Sequence, residues 1–418
     1  MKSPDPAAAR LHLRAVAIAL VLVAVFFGAA LQRMRRLERK YVRDVAAENY
    51  RVKDLGIIWQ RESFAQPDIL PIYGSSELTK RAPNKATEFF ESYPSGFAVS
   101  PVGRPSCTSL ILLERLGAGA AKARGRKVAI CVSPVWFLAK GANGLGFAGN
   151  FSPMQASELF FNAPLSLGLK HDIAGQLLRY PQVFSKSWLL AATAEWLASD
   201  RLGDRVLYFA AMPLGWLQNA VYRLQDHFEI ARSMRGDHKL RHLIPRKSET
   251  LDWDRLMAAA APLVRPLPQE VFDSRFRYFA DDAGFLEAMD RSYEWGDFEL
   301  LLRVVRELGL DPLLLSMPIE YAHYERMGIS PQAIDAYDLR LRAFADRYQV
   351  SVVDFADSGG DPQFFADHFG HPSAKGWIFF DRALDDFYHG QSIREDEPAA
   401  LGKNGRSKIP RAAPLNSD

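Results

Sequence analysis

One long apolar run lies near the start of the chain, at residues 15–31, and contains no charged residue and no proline. A helix of this length spans roughly 26 Å, which is close to the thickness of the hydrocarbon core of a bilayer. Lys2, Arg10 and Arg14 precede the run, and Arg33 follows it almost directly. A cleaved signal peptide has a shorter apolar core and small uncharged residues at its cleavage site. The pattern therefore favours a retained single-pass anchor over a cleaved signal.

Four short apolar runs later in the chain are typical of buried β-strands. They lie at 67–73, 127–134, 312–318 and 350–355. Stretches with helical periodicity, such as 109–116 and 334–348, lie between them. Strands that alternate with helices predict an α/β fold, with a parallel sheet that helices cover on both faces.

The apolar pattern also predicts a domain organisation. Residues 1–14 form a cytoplasmic N-terminus before the anchor, and residues 32–66 form a charged, largely helical stalk after it. The main domain covers 67–390. The polar segment 391–418 lacks periodicity, so we expect a disordered tail.

A different pattern occupies the middle of the main domain, at about residues 155–300. This region is rich in Leu, Ala, Trp and Phe at helical spacing, which predicts a helical insertion packed beside the sheet. Trp188, Trp196 and Trp216 of this region could either pack in the core or lie on a surface that contacts lipid. The pattern favours packing in the core.

The charge balance excludes one class of partner and bears on topology. The chain has 52 Lys and Arg residues against 49 Asp and Glu, and its net charge is +3. This balance argues against nucleic acid as the main partner. More basic residues follow the predicted anchor than precede it, so the positive-inside rule alone would leave the main domain in the cytoplasm.

The two cysteines, Cys107 and Cys131, lie in no spacing typical of a metal site. They could form a disulfide in an oxidising compartment, or they could remain buried free thiols. Cys107 as a catalytic nucleophile is a weaker third alternative.

Candidate chemistry begins where the first predicted strand ends, at Gly74-Ser75-Ser76-Glu77. Ligands of open parallel sheets bind beyond the carboxyl ends of the strands, so residues at this position are candidates for a site. A serine at the start of a helix has an exposed hydroxyl beside backbone N–H groups that can stabilise an oxyanion. The alternative is that Ser75 or Ser76 only caps a helix.

A serine nucleophile needs a base and an orienting acid, and both residue types occur together after the fourth predicted strand. Asp367, His368 and His371 lie in one short loop before a predicted apolar helix at 377–387. The loop could therefore supply the base and the acid of a catalytic triad. The alternative is that both histidines bind a metal ion together with Asp367.

Five segments in this order resemble the DltD family, the D-alanine transfer proteins of teichoic acid D-alanylation. The similar segments are Gly74-Ser75-Ser76-Glu77-Leu78, Ser133-Pro134-Val135-Trp136-Phe137, Phe151-Ser152-Pro153-Met154-Gln155, Pro318 through Tyr324 to Gly328, and His371 with Lys375-Gly376-Trp377. The single N-terminal anchor also fits this family. The resemblance covers about residues 11–390.

The resemblance implies an SGNH-hydrolase-like three-layer α/β/α domain with a Ser-His-Asp triad. Carried over to this sequence, the nucleophile is Ser76, the base is His371 and the acid is Asp367. The family usually places the acid three residues before the histidine, whereas Asp367 lies four before it and His368 occupies the usual position. The resemblance adds further oxyanion or substrate-binding candidates, which are Gly103, Ser75, Trp136 and Trp377.

The resemblance also implies a function and a location. We expect a membrane-anchored serine acyltransferase that takes part in D-alanylation of a cell-envelope polymer or glycolipid and needs no cofactor or metal. Its partners would be a DltB-like membrane-bound O-acyltransferase, a D-alanyl donor on a carrier, and the lipid bilayer. The main domain would lie outside the cytoplasmic membrane, against the charge count.

Two alternatives to this function remain open. The first is an acyl-ester hydrolase or O-acetyltransferase that acts on an exported polysaccharide. The second is a non-enzymatic envelope scaffold, in which Ser76 is only a helix cap.

Overall fold

The computed structural model describes residues 6–48, 51–139, 144–236, 250–265 and 280–391. Its centre is a parallel sheet of five strands in the order β2-β1-β3-β4-β5. The strands are β1 (Ile69–Gly74), β2 (Ala98–Gly103), β3 (Lys127–Val132), β4 (Asp311–Ser316) and β5 (Ser351–Val353). The predicted parallel α/β sheet is therefore confirmed.

The sequence did not predict β2, which pairs with β1 over its whole length, from Ile69 opposite Ala98 to Gly74 opposite Gly103. Pro101 interrupts the apolar pattern of this strand. A proline lacks the N–H that a central strand needs, but β2 lies at the edge of the sheet, where one side of the strand has no neighbouring strand.

Seventeen α-helices are formed by the described residues. They are α1 (Pro6–Tyr41), α2 (Arg51–Leu55), α3 (Ile58–Ala65), α4 (Ala86–Ser92), α5 (Ser109–Gly119), α6 (Pro134–Phe137), α7 (Gly144–Asn150), α8 (Pro153–Phe161), α9 (Leu167–Leu177), α10 (Trp188–Leu197), α11 (Leu202–Gly236), α12 (Trp253–Ala260), α13 (Asp282–Asp290), α14 (Glu294–Leu308), α15 (Tyr321–Glu325), α16 (Pro331–Tyr348) and α17 (Ala374–His389). The predicted helices at 109–116, 334–348 and 377–387 lie within α5, α16 and α17.

Alternate residues of the strands point into two separate hydrophobic cores. In β3, Val128, Ile130 and Val132 face the core formed with α5, α14 and α16, while Ala129 and Cys131 face the core formed with α4, α12 and α17. Two helical layers therefore enclose the sheet, because apolar residues on both faces of a parallel sheet must be covered. This is the three-layer α/β/α arrangement that was expected.

The N-terminal helix α1 contains the predicted anchor. Within the described part of the chain, its segment Arg14–Tyr41 is the one helix long and apolar enough to cross a membrane. Apolar side chains such as Val16 and Phe26 are more than half exposed to solvent. The segment therefore has the length and the composition of a membrane span.

The part of the predicted stalk that follows α1 packs against the domain. Val45, Ile58 and Trp59 form a small core with Ile230 of α11. Asp226 of α11 accepts the backbone N–H groups of the residues that start α3, at 2.7 and 2.9 Å. The chain that leaves α1 is therefore held on the domain surface.

The region predicted as a helical insertion contains helices α8 to α13 and the first part of α14. Most of these helices add side chains to the core that contains α5. Residues 237–249 and 266–279 of this region lie outside the described residues, as does the predicted tail beyond residue 391.

Both cysteines are free thiols, which decides between the alternatives left open above. Cys107 belongs to the core on one face of the sheet and Cys131 to the core on the other face. Burial raises the pKa of each thiol, so neither is suited to act as a nucleophile.

The buried carboxyl group of Glu114 predicts a pH dependence of stability. One of its oxygens accepts the N–H of Ser152 at 2.9 Å, and burial raises the pKa of Glu114 from 4.5 to about 8. Because the folded-state pKa is raised, the folded state is favoured when Glu114 is protonated. This contribution to the free energy of unfolding is complete below pH 4.5 and is lost as the pH rises through about 8. We expect Glu114→Gln, which keeps an acceptor, to reduce the fall in the free energy of unfolding over that interval.

Urea unfolding of the full chain in detergent, measured at about pH 5 and about pH 9, checks this expectation. Glu287→Gln is the matched control, because Glu287 is an exposed residue of α13. An equal loss of stability between the two pH values in wild type and Glu114→Gln would contradict the prediction.

Candidate active site

The order of the strands identifies one edge of the sheet as the place for a ligand. The chain proceeds from β1 outward to β2 on one side, and from β3 outward to β4 and β5 on the other. Ligands of open α/β sheets bind at such a switch point, beyond the carboxyl ends of the strands. Ser76 lies two residues after the end of β1, at the start of a short turn, Ser76–Leu78. This serine is therefore at the expected position.

Three predicted residues lie within hydrogen-bonding distance of one another at this edge. The hydroxyl Oγ of Ser76 lies 2.7 Å from Nε2 of His371. The other ring nitrogen, Nδ1, lies 2.8 and 2.9 Å from the two carboxylate oxygens of Asp367. The arrangement matches the geometry of a serine nucleophile, its base and an orienting acid. The catalytic role of the three residues stays a prediction.

A tight turn accommodates the unusual spacing between Asp367 and His371. The carboxylate of Asp367 accepts the backbone N–H of Phe369 at 3.0 Å, and Gly370 adopts a left-handed conformation with φ of +84°. Ala366 donates its N–H to the carbonyl of His371 at 2.8 Å, which closes the loop. The turn therefore brings an acid four residues before the histidine to the imidazole.

Lys80 contacts the same carboxylate, and the sequence did not predict it. Its ammonium group forms an ion pair with Oδ2 of Asp367. Burial alone would raise the pKa of Asp367, but the hydrogen bond and charge of His371, together with Lys80, lower it well below its usual value. Asp367 is therefore held as a carboxylate that can orient His371.

Two glycines allow the strand ends beside Ser76 to approach closely. A Cβ atom on Gly103 would lie 2.2 Å from the carbonyl oxygen of Gly74 on the neighbouring strand. A Cβ atom on Gly74 would lie 2.1 Å from Oε1 of Glu77, the atom that accepts the N–H of Ser75 at 2.6 Å. Ser75 itself is 3% exposed. Close packing at this point thus leaves Ser76 as the accessible serine of the pair.

The N–H of Gly103, which was predicted as an oxyanion donor, already has a hydrogen-bond partner. The N–H of Gly103 donates to Oδ1 of Asp54 at 3.0 Å, so a buried carboxylate already occupies this donor. Asp54 also lies 3.8 Å from both Arg104 and Arg115. Gln155 and Ser152 fix the same segment, because their side chains donate to backbone carbonyls of residues 54–56.

Burial argues against substrate contact by the two predicted tryptophans. Trp377 is 1% exposed and packs against Phe380 in one core. Trp136 is 9% exposed and belongs to the core on the opposite face of the sheet. Their positions in the similar segments reflect packing of the layers around the sheet.

The chain is similar in sequence to known proteins. The sequence model of the family described as DltD protein matches residues 48–389. A protein from Bacillus subtilis (strain 168), named Protein DltD, is 24% identical over 80% of this chain and 86% of its own length. Relatives of the same name from Staphylococcus aureus (strain NCTC 8325 / PS 47) and Lacticaseibacillus rhamnosus are 23% and 21% identical, over 82% and 88% of this chain and 87% and 89% of their own lengths.

This chain belongs to the DltD family. The resemblance noted in the sequence is thereby confirmed, and it connects the chain to D-alanylation of teichoic acid. The matched region begins before α2 and ends at the last residue of α17, so it contains the whole sheet and all three residues of the candidate triad.

A second cluster of side chains in this DltD-family chain borders the triad loop. Nδ1 of His368 lies 2.6 Å from Oε2 of Glu320, and the ring of His323 stacks on His368 with centroids 4.5 Å apart. One donor atom from each of the three residues lies within 4.8 Å of the others, so the group could hold a metal ion. Burial, His368 and Arg326 lower the pKa of His323 to about 4, so it is neutral at physiological pH.

The two histidines of the loop therefore have different surroundings. His371 contacts Ser76 and Asp367, whereas His368 contacts Glu320 and His323. This separation disfavours the alternative in which His368 and His371 share one ion with Asp367.

The ion pair between Lys80 and Asp367 leads to a testable prediction. Replacing Lys80 by Met removes a positive charge that lowers the pKa of Asp367, so the carboxylate that orients His371 is protonated more easily. We expect the acidic limb of the pH profile to move upward by about half to one pH unit. The measurement is the rate at which a fluorophosphonate labels the full chain as a function of pH.

Lys122→Met serves as the matched control, because Lys122 is exposed in the loop between α5 and β3. If the profile of Lys80→Met coincides with those of wild type and Lys122→Met, Lys80 does not act on the pair.

Proposed function

We propose that the chain is a membrane-anchored serine acyltransferase that takes part in D-alanylation of a cell-envelope polymer or glycolipid. The observation that carries the proposal is the 2.7 Å contact between Ser76 Oγ and His371 Nε2, in a chain that belongs to the DltD family. The SGNH-hydrolase likeness of the domain is part of the same proposal.

Asp367 and His371 together would set the tautomer needed for catalysis. An ionised Asp367 accepts a hydrogen bond from Nδ1–H, which leaves the lone pair of Nε2 directed at the hydroxyl of Ser76. His371 then acts as the general base, and Asp367 stabilises the imidazolium that forms. Lys80 would hold the carboxylate in place from its other side.

The proposed reaction has two acyl-transfer steps. Ser76 Oγ attacks the carbonyl carbon of a D-alanyl ester or thioester, and its proton passes to Nε2 of His371. The bond to the leaving alcohol or thiol breaks, and His371 returns the proton to that group. A hydroxyl of the acceptor then gives its proton to His371 and attacks the carbonyl carbon of the acyl-serine. The bond to Ser76 Oγ breaks, and His371 returns the proton to that oxygen.

The proposed oxyanion donor is the backbone N–H of Ser76. Such a donor contributes about 3 kcal/mol to transition-state stabilisation in serine hydrolases. Gly103 is not assigned this role, because its N–H donates to Asp54. The N–H of Ser75 is likewise directed at Glu77.

The location and the partners follow from α1 and the family. We propose that α1 remains as a single-pass anchor and that the main domain lies outside the cytoplasmic membrane. Basic residues after the span, such as Arg35 and Arg36, would then interact with anionic headgroups. A membrane-bound O-acyltransferase would act with the chain, which would receive D-alanyl groups from a carrier.

Substitution of the nucleophile tests this function. In a host that lacks its own copy, we expect Ser76→Ala to abolish the envelope D-alanine esters that the wild-type chain restores, while the protein still fractionates with membranes. D-Alanine and acetate released from the envelope by mild alkali are both measured, because acetate would indicate an O-acetyltransferase instead.

Ser75→Ala is the matched control for Ser76→Ala, since Ser75 is buried beside it. It should keep both the ester content and fluorophosphonate labelling of the chain. Normal D-alanine ester content in Ser76→Ala would reject the assignment and leave the scaffold alternative.

The triad acid is tested separately with purified full chain in detergent. Asp367→Asn keeps the shape of the side chain but removes the charge that orients His371, so we expect the rate of ester hydrolysis to fall by about 10⁴-fold. His368→Asn, in the same loop, should change the rate much less. A fall of similar size in both variants would mean that the loop conformation, and not the carboxylate, sets the rate.

A further inference from the structure

The helix α11 presents apolar side chains on two opposite faces. One face contains Tyr208, Ala211 and Ile230, which are buried against the domain. The opposite face contains large apolar side chains that are between 47% and 77% exposed, namely Leu202, Val206, Phe209, Leu217, Val221 and Phe228. A helix on the surface of a soluble domain normally has polar residues on its outward face.

The spacing of the exposed residues shows that they form one continuous surface. Steps of three, four, seven and eight residues separate them, which places them on the same side of a helix. The outward surface therefore extends over most of the 35 residues of α11. Apolar surface of this extent marks a region that contacts another molecule or a membrane.

Contacts with α1 give the position of this surface relative to the proposed span. Nδ1 of His227 on α11 lies 2.6 Å from Oε1 of Glu38 on α1, and both side chains are buried. Glu38 follows the end of the apolar run at Leu31 by seven residues, which corresponds to roughly 10 Å along the helix. Since headgroups occupy about 5–8 Å on each side of the hydrocarbon, α11 meets α1 close to the bilayer surface.

The direction of α11 brings its first half toward the bilayer. Beyond His227, Ile230 and Met234 pack near Val45, which lies further along the chain from the span than Glu38 does. The C-terminal end of α11 thus leads away from the apolar run, and the opposite end, with the exposed face, leads back toward it.

Polar and aromatic residues near this face have the chemistry of a membrane interface. Trp188 on α10 and Trp216 on α11 are 72% and 52% exposed, and tryptophan is enriched at membrane–water interfaces. Arg201 and Arg205 are exposed at the start of α11, where they could pair with anionic headgroups.

We propose that the outward face of α11 lies in the interface of the bilayer that α1 spans, so the domain rests on the membrane surface. This inference depends on the proposed membrane anchor but not on the catalytic role of Ser76. The exposure of Trp188 and Trp216 shows that the expectation of core packing was wrong for these two residues. Insertion of the face would hold the domain in one orientation above the bilayer, with α1 and α11 as two points of attachment.

Site-directed spin labelling of the full chain in lipid nanodiscs tests the inference. Nitroxides are placed at Leu217→Cys on the outward face, at Val21→Cys in the span, and at Leu339→Cys, an equally exposed leucine of α16. The native cysteines are buried, so the introduced thiols react selectively. Accessibility to oxygen and to a water-soluble nickel chelate is measured with one chain per disc, which excludes contact between copies.

We expect the label at residue 217 to be several-fold less accessible to nickel than the label at residue 339, with a depth between those of residues 339 and 21. Equal nickel accessibility at 217 and 339, with residue 21 in lipid, would overturn the inference alone and leave the face for a protein partner. Water exposure at residue 21 would overturn the anchor as well.

Discussion

The candidate site depends on one hydrogen bond, between Ser76 and His371, which joins residues separated by 295 positions in the chain. No local preference can form such a contact, so the sheet must provide it. Because β1 is an interior strand, between β2 and β3, Ser76 is held at the carboxyl edge of the sheet with a strand on either side. The loop before α17 reaches the same edge because α17 packs on the sheet face that β1, β3 and β4 share. The core thus sets the distance between the two side chains.

A buried polar network supports the strand ends beside this bond. Asp54 accepts the N–H of Gly103 and lies near Arg115, whose side chain is fully buried. Charges in such positions are costly unless they are paired, so removal of one member would leave another uncompensated. Asp54 belongs to α2, which is part of the chain that connects α1 with the domain. The connection from the apolar helix to the domain therefore also contributes to the packing around Gly103 and Gly74.

The apolar pattern was sufficient to predict the layers of the fold and the position of Ser76, but not the contacts between charged residues. Four strands were predicted from their apolar runs, while β2 was missed because Ser100 and Pro101 interrupt its pattern. Ser76 and His371 could be found because strand ends and family segments both indicate them. Lys80 and Asp54 resemble ordinary surface residues in the sequence, and their contacts depend on elements distant along the chain. The sequence also could not predict the exposed apolar face of α11, because apolar periodicity does not show which face of a helix is buried.

The spacing of Asp367 illustrates why geometry, and not a motif, indicates the candidate acid. With the acid four residues before the histidine, an extended loop would carry the carboxylate past the imidazole. The left-handed turn at Gly370 and the hydrogen bond from Phe369 to Asp367 fold the extra residue away and return the carboxylate to Nδ1 of His371. His368 occupies the position three residues before the histidine, where the family usually has the acid, and it contacts Glu320 instead. That position does not need an acidic residue, because the turn brings Asp367 to His371.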